Sequence, residues 1–363
     1  MNVTVIGAGN SGLSMAAHLS SEGNKVTLWN RSVTNIKKLM ETQIVKCEGK
    51  IKGDIKIDLV TVDITKAIEN SDIILITTPA NSHKGLAELI AKNIKKDTLI
   101  VLNPGRTFGA LEFFEVFRSF NEDIKPTIAE TQTIIYTCRK TSEDSVNIIG
   151  FKSDVLISTF DPEENVEVIL RLPECLQRYF IPARSMIETS IGNVGMILHC
   201  APLLLNTGWT ESISNEYKHY YDGITPSIGG LIEKIDEERV AVSELLGLKV
   251  ETTKDWLKRT YHVQGDSLYE CIQNNEVYRT IDAPNSLNHR YIFEDVPNGL
   301  VPLESIGKKL GLSMKNTALV IDLASSLLDI DFRKIGRNIY IHDDNHKRGV
   351  ASFLKGGIFD VSK

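Results

Sequence analysis

Gly7, Gly9 and Gly12, with Ala8, Asn10 and Ser11 between them, have the spacing G-x-G-x-x-G, directly after an apolar run at residues 2–6 and at the start of a helical pattern reaching residue 21. In that setting each glycine has a physical task. Gly7 permits a tight turn, Gly9 lets the backbone approach a pyrophosphate, and Gly12 lets the helix pack closely on the strand. The helix start offers N–H groups and the positive end of its dipole to an anion, so Asn10 and Ser11 join the glycines as expected dinucleotide contacts.

The next apolar run, residues 25–29, leads into Asn30-Arg31-Ser32. An NAD enzyme would ordinarily place a carboxylate there, against the adenosine ribose. Arg31 instead suits a 2′-phosphate, with Asn30 and Ser32 as neutral hydrogen-bonding neighbours, so NADP is the expected cofactor and NAD the alternative. Thr78 and Pro79 follow a run at 72–77, and Asn103 and Gly105 follow one at 98–102. Both loops belong at the carboxyl ends of parallel strands, where they would border the nicotinamide half.

A dehydrogenase also needs a group that manages protons near neutral pH, which suits histidine. Of the eight histidines, His18 and His83 lie in helical patterns of the first half, and His342 and His346 in a polar tail. His199 stands apart, within an apolar, glycine-containing helical stretch at residues 191–205. By composition alone, a buried histidine in such a stretch is more often a core residue with an internally satisfied ring. Residues 290–302 concentrate Arg290, Glu294 and Asp295 around a proline- and glycine-containing turn. Taken by itself, this segment reads as an interhelical connection with exposed charges.

These residues need a scaffold, and 363 residues suit two domains better than one core. The first half alternates continuous β-branched runs with helical patterns, as buried strands of a parallel sheet do. Further strand-like runs at 127–130, 134–139 and 146–151 are expected to complete that sheet in mixed orientation. From residue 187 onward, apolar residues recur at three- and four-residue spacing, which predicts helices. The expected fold is therefore α/β: a Rossmann-type doubly wound sheet over residues 1–182, followed by an all-α domain over 183–363, with the active site in the cleft between them.

Composition narrows the functional classes. Five cysteines without C-x-x-C spacing suggest neither a disulfide framework nor a zinc site, and the expected compartment is the cytoplasm. A net charge of −6 without a long basic run argues against nucleic acid or an anionic membrane as partner. The one basic cluster, His346-Lys347-Arg348, reads as solvated surface. No apolar stretch is long enough for a membrane helix. Residues 2–6 already read as a strand, so no secretory leader is expected. Helical domains of this kind often form homodimers, although no decisive apolar stripe marks an interface.

The glycine motif, the L-W-N-R end of the second strand, E-T-Q-T-I-I-Y-T-C-R at 130–139, N-V-G-M-I-L-H-C-A-P at 193–202 and R-Y-I-F-E-D-V-P-N-G-L-V-P-L at 290–303 together resemble the octopine/nopaline (opine) dehydrogenase family. The resemblance spans nearly the whole chain. It implies reductive condensation of an amino acid with a 2-oxo acid such as pyruvate, giving an N-(1-carboxyalkyl) amino acid, and the reverse oxidation. It also implies a catalytic pair, which the motifs place on His199 and Asp295, with Arg290 binding a substrate carboxylate and Thr131 contacting the oxo acid. The family's glutamine in the loop after the fifth strand is absent here, where Gly105 and Arg106 stand.

Two other readings compete. 2-Oxoacid or 2-dehydropantoate reductases and glycerol-3-phosphate dehydrogenases share a Rossmann domain followed by helices, but they generally use a lysine on the first long helix of the second domain. Residues 185–200 contain no lysine. A non-catalytic NADP(H)-binding sensor is the reading from another class, and intact His199, Arg290 and Asp295 weigh against it. Tyr217, Tyr221, Trp209 and Trp256 are candidates for recognising the amino-acid side chain because they are large and polar-tipped.

Overall fold

The computed structural model describes residues 1–214, 216–341 and 359–361, and the chain divides into two compact units, Met1–Ser190 and Ile191–Lys363. The first continues past residue 182 because Thr189 and Ser190 turn back onto it: both hydroxyls donate to the Glu130 carboxylate, Thr189 at 2.9 Å.

The first unit contains strands β1 (Asn2–Ile6), β2 (Lys25–Trp29), β3 (Ile44–Gly49), β4 (Gly53–Lys56), β5 (Leu59–Thr61), β6 (Ile73–Ile76), β7 (Leu99–Leu102), β8 (Thr127–Thr131), β9 (Tyr136–Ser142), β10 (Ser145–Phe151), β11 (Val155–Thr159) and β12 (Phe180–Pro182). Its main sheet has the order β12-β11-β8-β7-β6-β1-β2-β5. From β5 to β8 every pairing is parallel, while β11 runs antiparallel to β8. All four residues of β6 and of β7 are buried, as befits strands covered on both faces. Ile6 pairs with Trp29 and Ile76, Ile76 with Leu102, and Leu102 with Glu130. That register levels the carboxyl ends, so the loops carrying Gly7, Asn30, Thr78 and Asn103 emerge along one edge.

The expectation that the runs at 134–139 and 146–151 complete this sheet is not met. They form β9 and β10, an antiparallel pair joined at Glu143-Asp144, and build a separate four-stranded sheet of order β4-β3-β10-β9. The reason is visible in their burial. β9 alternates buried or half-buried positions with exposed ones, and β10 alternates buried with half-buried ones over Ser145–Ile148, a partly solvated pattern, whereas the main-sheet strands need apolar residues on both faces. Asp144 fixes the turn through Ser142 Oγ at 2.9 Å and the Lys38 ammonium at 2.8 Å.

In the second unit the longest elements are the helices Gly195–Leu205, Pro226–Leu245, Thr253–Tyr261, Val301–Lys309 and Lys315–Leu328. Thr225 caps Pro226–Leu245 by accepting from Ile228 N at 3.3 Å, with Pro226 pre-set for the first helical turn. Arg239 on that helix is fully buried; it donates to Asp236, to Ile191 O at 2.9 Å and to Glu251 O at 2.7 Å. A buried guanidinium needs such partners, since burying it unpaired would cost several kcal/mol, ~3–5 by order of magnitude. Glu238 accepts from the backbone N–H groups of Asn316 and Thr317, both at 2.9 Å, and so caps the start of Lys315–Leu328. A two-stranded pairing of Ile339–Ile341 with Phe359–Val361 adds a little sheet to the otherwise helical unit. His342 and the cluster His346-Lys347-Arg348 lie outside the described residues. Among the described residues, no helix is long and apolar enough to cross a membrane.

Candidate active site

The glycine loop makes a tight turn between β1 and the first helix. Gly7 has φ +106°, a conformation that favours glycine, and an added Cβ at Gly12 would lie 1.8 Å from the Gly7 carbonyl oxygen. Both are fixed by the chain's own packing. Gly9 differs, because a Cβ there would meet no atom within 4 Å. Its missing side chain therefore clears space outside the protein's own packing, as a dinucleotide contact would need. The helix Asn10–Ser21, here α1, begins at Gly9 with no side-chain cap and no acidic residue in its first turn, so its opening N–H groups suit an anion.

Asn30 closes one side of this loop: its Oδ1 accepts from Ala8 N at 3.3 Å and its Nδ2 donates to Ser32 O at 3.0 Å. Ser32 Oγ pairs with Thr34 Oγ1 at 2.6 Å, and Arg31 is exposed. Thr78 Oγ1 accepts from Ser82 at 2.7 Å, and the Pro79 carbonyl is a second acceptor of that hydroxyl. Asn103 is buried with Nδ2 on Val101 O at 2.9 Å. An added Cβ at Gly105 would fall 2.2 Å from Glu130 Oε2, so that glycine admits the carboxylate which also accepts from Ala110 N at 2.9 Å. Thr131 is fully buried and its hydroxyl donates to Leu102 O at 3.4 Å. Its hydrogen serves the strand ends.

In the second unit, two residues distant in sequence meet. His199 Nδ1 lies 2.8 Å from Asp295 Oδ2, with the histidine side chain 17% exposed and the aspartate 0%. Helix Gly195–Leu205 carries His199, and Asp295 immediately precedes the π-helical turn Val296–Leu300. Gly299 in that turn allows the approach, because a Cβ there would sit 2.8 Å from the Cβ of Met196, one helical turn before His199. Cys200 Sγ reaches Tyr291 O at 3.3 Å and ties the same helix to Arg290–Phe293.

The imidazole is oriented on its faces as well as at Nδ1. Tyr291 stacks on His199 with ring centroids 3.9 Å apart and planes 11° apart, while His219 lies at 6.3 Å. His219 Nε2 is 3.2 Å from Leu198 O, and burial, followed by the proximity of His199, lowers its pKa to about 3. It is therefore neutral near pH 7. His289 accepts from Tyr291 N at 3.3 Å, and its pKa is also lowered, by burial and then by Arg290. Tyr291, His219 and His289 were not singled out from sequence; Tyr291 lies inside the 290–302 segment, but a stacking partner has no spacing signal.

Arg290 is anchored by Glu294, its Nη2 and Nε lying 2.8 and 3.0 Å from Oε2, and it is 58% exposed at the side chain against 6% for Glu294. A guanidinium has five N–H donors, so this pairing leaves donors for a second carboxylate. Tyr217 OH pairs with Thr210 Oγ1 at 2.7 Å beneath Trp209, and Tyr221 OH donates to Gln273 O at 2.6 Å. Their polar tips are thus used internally. Trp256 meets Tyr261 edge-on at 5.6 Å. Among the described residues, no group of three or more His, Cys, Asp or Glu side chains could hold a metal ion.

A glycine cradle at the carboxyl edge of a parallel sheet, followed by a helical unit bearing an oriented His–Asp pair, defines a nicotinamide-dependent oxidoreductase. The model for the NAD-dependent glycerol-3-phosphate dehydrogenase N-terminus matches residues 2–104, and that for the NAD/NADP octopine/nopaline dehydrogenase alpha-helical domain matches residues 182–328. An opine dehydrogenase of Arthrobacter sp. (strain 1C) is 36% identical over 355 residues, 98% of this chain and 96% of that one. The chain belongs to the opine dehydrogenase family, typified by octopine and nopaline dehydrogenases. Its fold is shared by octopine dehydrogenase in complex with NADH and agmatine, with TM-score 0.74, 19% identity and 100% of both chains covered. NADP+-bound yersinopine dehydrogenase has the same fold, with TM-score 0.73, 13% identity and 93% of both chains covered.

Proposed function

We propose that the protein catalyses reductive condensation of an L-amino acid with a 2-oxo acid, pyruvate first among them, to an N-(1-carboxyalkyl) amino acid, and the reverse oxidation. The observation that carries this reading is the buried His199–Asp295 pair, within the family resemblance set out above. When bound, the reduced nicotinamide supplies the hydride. The remaining work falls to side chains. Asp295 accepts from His199 Nδ1, which leaves Nε2 to take a proton from the incoming ammonium group and pass it to the carbonyl oxygen as the amine adds, and then to carry a second N–H proton of the adduct to the same oxygen, which departs as water. The carboxylate also stabilises the imidazolium formed between those transfers, and the Tyr291 stack restrains the ring.

Arg290, held by Glu294, binds a substrate carboxylate, and Thr131, the last residue of β8, contacts the oxo acid. Arg31 favours NADP over NAD because no acidic side chain replaces it at the end of β2. All five cysteines are free, which fits a reducing compartment such as the cytoplasm. The test follows oxidation of NADPH, and of NADH beside it, with pyruvate alone and then with pyruvate plus single amino acids. Consumption that requires both partners is expected. Consumption with the oxo acid alone would instead make the protein a hydroxy-acid dehydrogenase.

A further inference from the structure

The second sheet of the first unit brings one cation to the glycine loop. Lys140, on β9, donates its backbone N–H to Asn10 Oδ1 at 2.8 Å and its ammonium to Ala8 O at 3.1 Å. Asn10 is the first residue of α1, and Ala8 lies between Gly7 and Gly9. The Ala8 peptide is consequently held at both ends, its N–H by Asn30 and its oxygen by Lys140. One ammonium N–H is committed to Ala8 O, and two remain.

The charge on Lys140 is not consumed by an ion pair. Among the described residues no carboxylate lies within ion-pair reach of it, and the two nearest in sequence serve another lysine. Asp144 pairs with the Lys38 ammonium at 2.8 Å, and Glu143 accepts from Lys38 N at 2.7 Å. Lys140 is half-buried, and that burial pulls its pKa below the ordinary lysine value against the opposing pull of Glu143 and Asp144. A half-buried cation without a counter-ion, beside the open space at Gly9 and the uncapped start of a twelve-residue helix, is an arrangement that an anion would complete.

We propose that Lys140 is a cofactor-binding residue whose ammonium meets the pyrophosphate of the dinucleotide, a role that rests on the dinucleotide reading of the glycine loop. Its position at Ala8 and Asn10 separates it from Arg31, which follows β2 and is suited to the 2′-phosphate. Lys140 thus contributes affinity common to NADP(H) and NAD(H), and Arg31 contributes the choice between them.

The test is equilibrium binding of NADPH and of NADH, measured by titration calorimetry without substrate, on the wild type and on Lys140→Met, Lys140→Gln and Lys140→Arg. Loss of a charge-assisted hydrogen bond to phosphate should raise both Kd values by about tenfold in Lys140→Met and Lys140→Gln, by the same factor for the two cofactors. Lys140→Arg should keep both within about threefold of wild type. The Met variant should also show a shallower dependence of log Kd on salt. Wild-type affinity in Lys140→Gln, which can still donate to Ala8 O, would overturn the proposal and reduce Lys140 to a peg for the loop. Weakening of NADPH alone would overturn it too, moving the contact to the 2′-phosphate. A wild type that bound neither cofactor would instead refute the dinucleotide reading itself.

Discussion

The two units put their functional groups in place by different means. In the first, Gly7, Gly9 and Gly12 lie within six consecutive residues, and the groups offered are backbone N–H donors and the space left by absent side chains. In the second, His199 and Asp295 are 96 positions apart and meet only because a glycine in a π-helical turn admits a neighbouring helix. A backbone site is written in contiguous sequence because its geometry is local. A side-chain pair is written in packing, and the residues that secure it, such as Gly299 and Tyr291, are not themselves chemical.

The comparison can be broken most severely at the pair. His199→Ala should lower turnover by about 10²- to 10⁴-fold while leaving NADPH affinity near wild type, checked by steady-state kinetics beside calorimetry. Asp295→Asn keeps the shape and removes the charge, so a smaller fall, about 10²-fold, is expected from the same assay. Wild-type turnover in His199→Ala would remove the acid–base role.

Two glycine substitutions sharpen the contrast. Gly9→Ala meets no protein atom, so its melting temperature should match wild type while cofactor Kd rises by about tenfold or more through collision with the dinucleotide. Gly299→Ala places a methyl against Met196 in a fully packed region. An overpacking penalty of about 1–3 kcal/mol is expected in thermal unfolding, with kcat reduced and cofactor affinity retained. Interchanged phenotypes would mean that the two units do not divide the work in this way.

The last effect, felt only below neutral pH, belongs to the first unit. His18 is buried, with Nδ1 3.0 Å from Tyr136 OH, and burial lowers its pKa from 6.5 to about 4. Because the folded value is the lower one, the unfolded chain takes up the proton first as pH falls. Stability should therefore be undiminished above pH 6.5 and decline from there to about pH 4, by at most about 3 kcal/mol. His18→Phe should flatten that segment of a Tm-against-pH curve, relative to wild type.

Much of this was legible before any coordinates. The dinucleotide loop, the parallel strands of its sheet and the helical character of the second half follow from glycine spacing and hydrophobic period, which depend on neighbours a few residues away. The resemblance singled out His199, Asp295 and Arg290, and the fold brings the first two together. What escaped was non-local. The runs at 134–139 and 146–151 read as strands but gave no sign that they would leave the main sheet for β3 and β4. Lys140, just beyond the E-T-Q-T-I-I-Y-T-C-R segment, had no motif to mark it.

By itself, then, the sequence determined which local structures could form and which residue types stood ready for chemistry, because propensity, turn geometry and periodicity act over one or two turns of chain. The tertiary structure alone decided which of those residues meet. It set Asp295 against His199, seated Tyr291 on the imidazole, paired Arg290 with Glu294 and carried Lys140 to Ala8. Each of those contacts depends on how apolar faces pack across long separations in the chain, and no short stretch of residues contains that information.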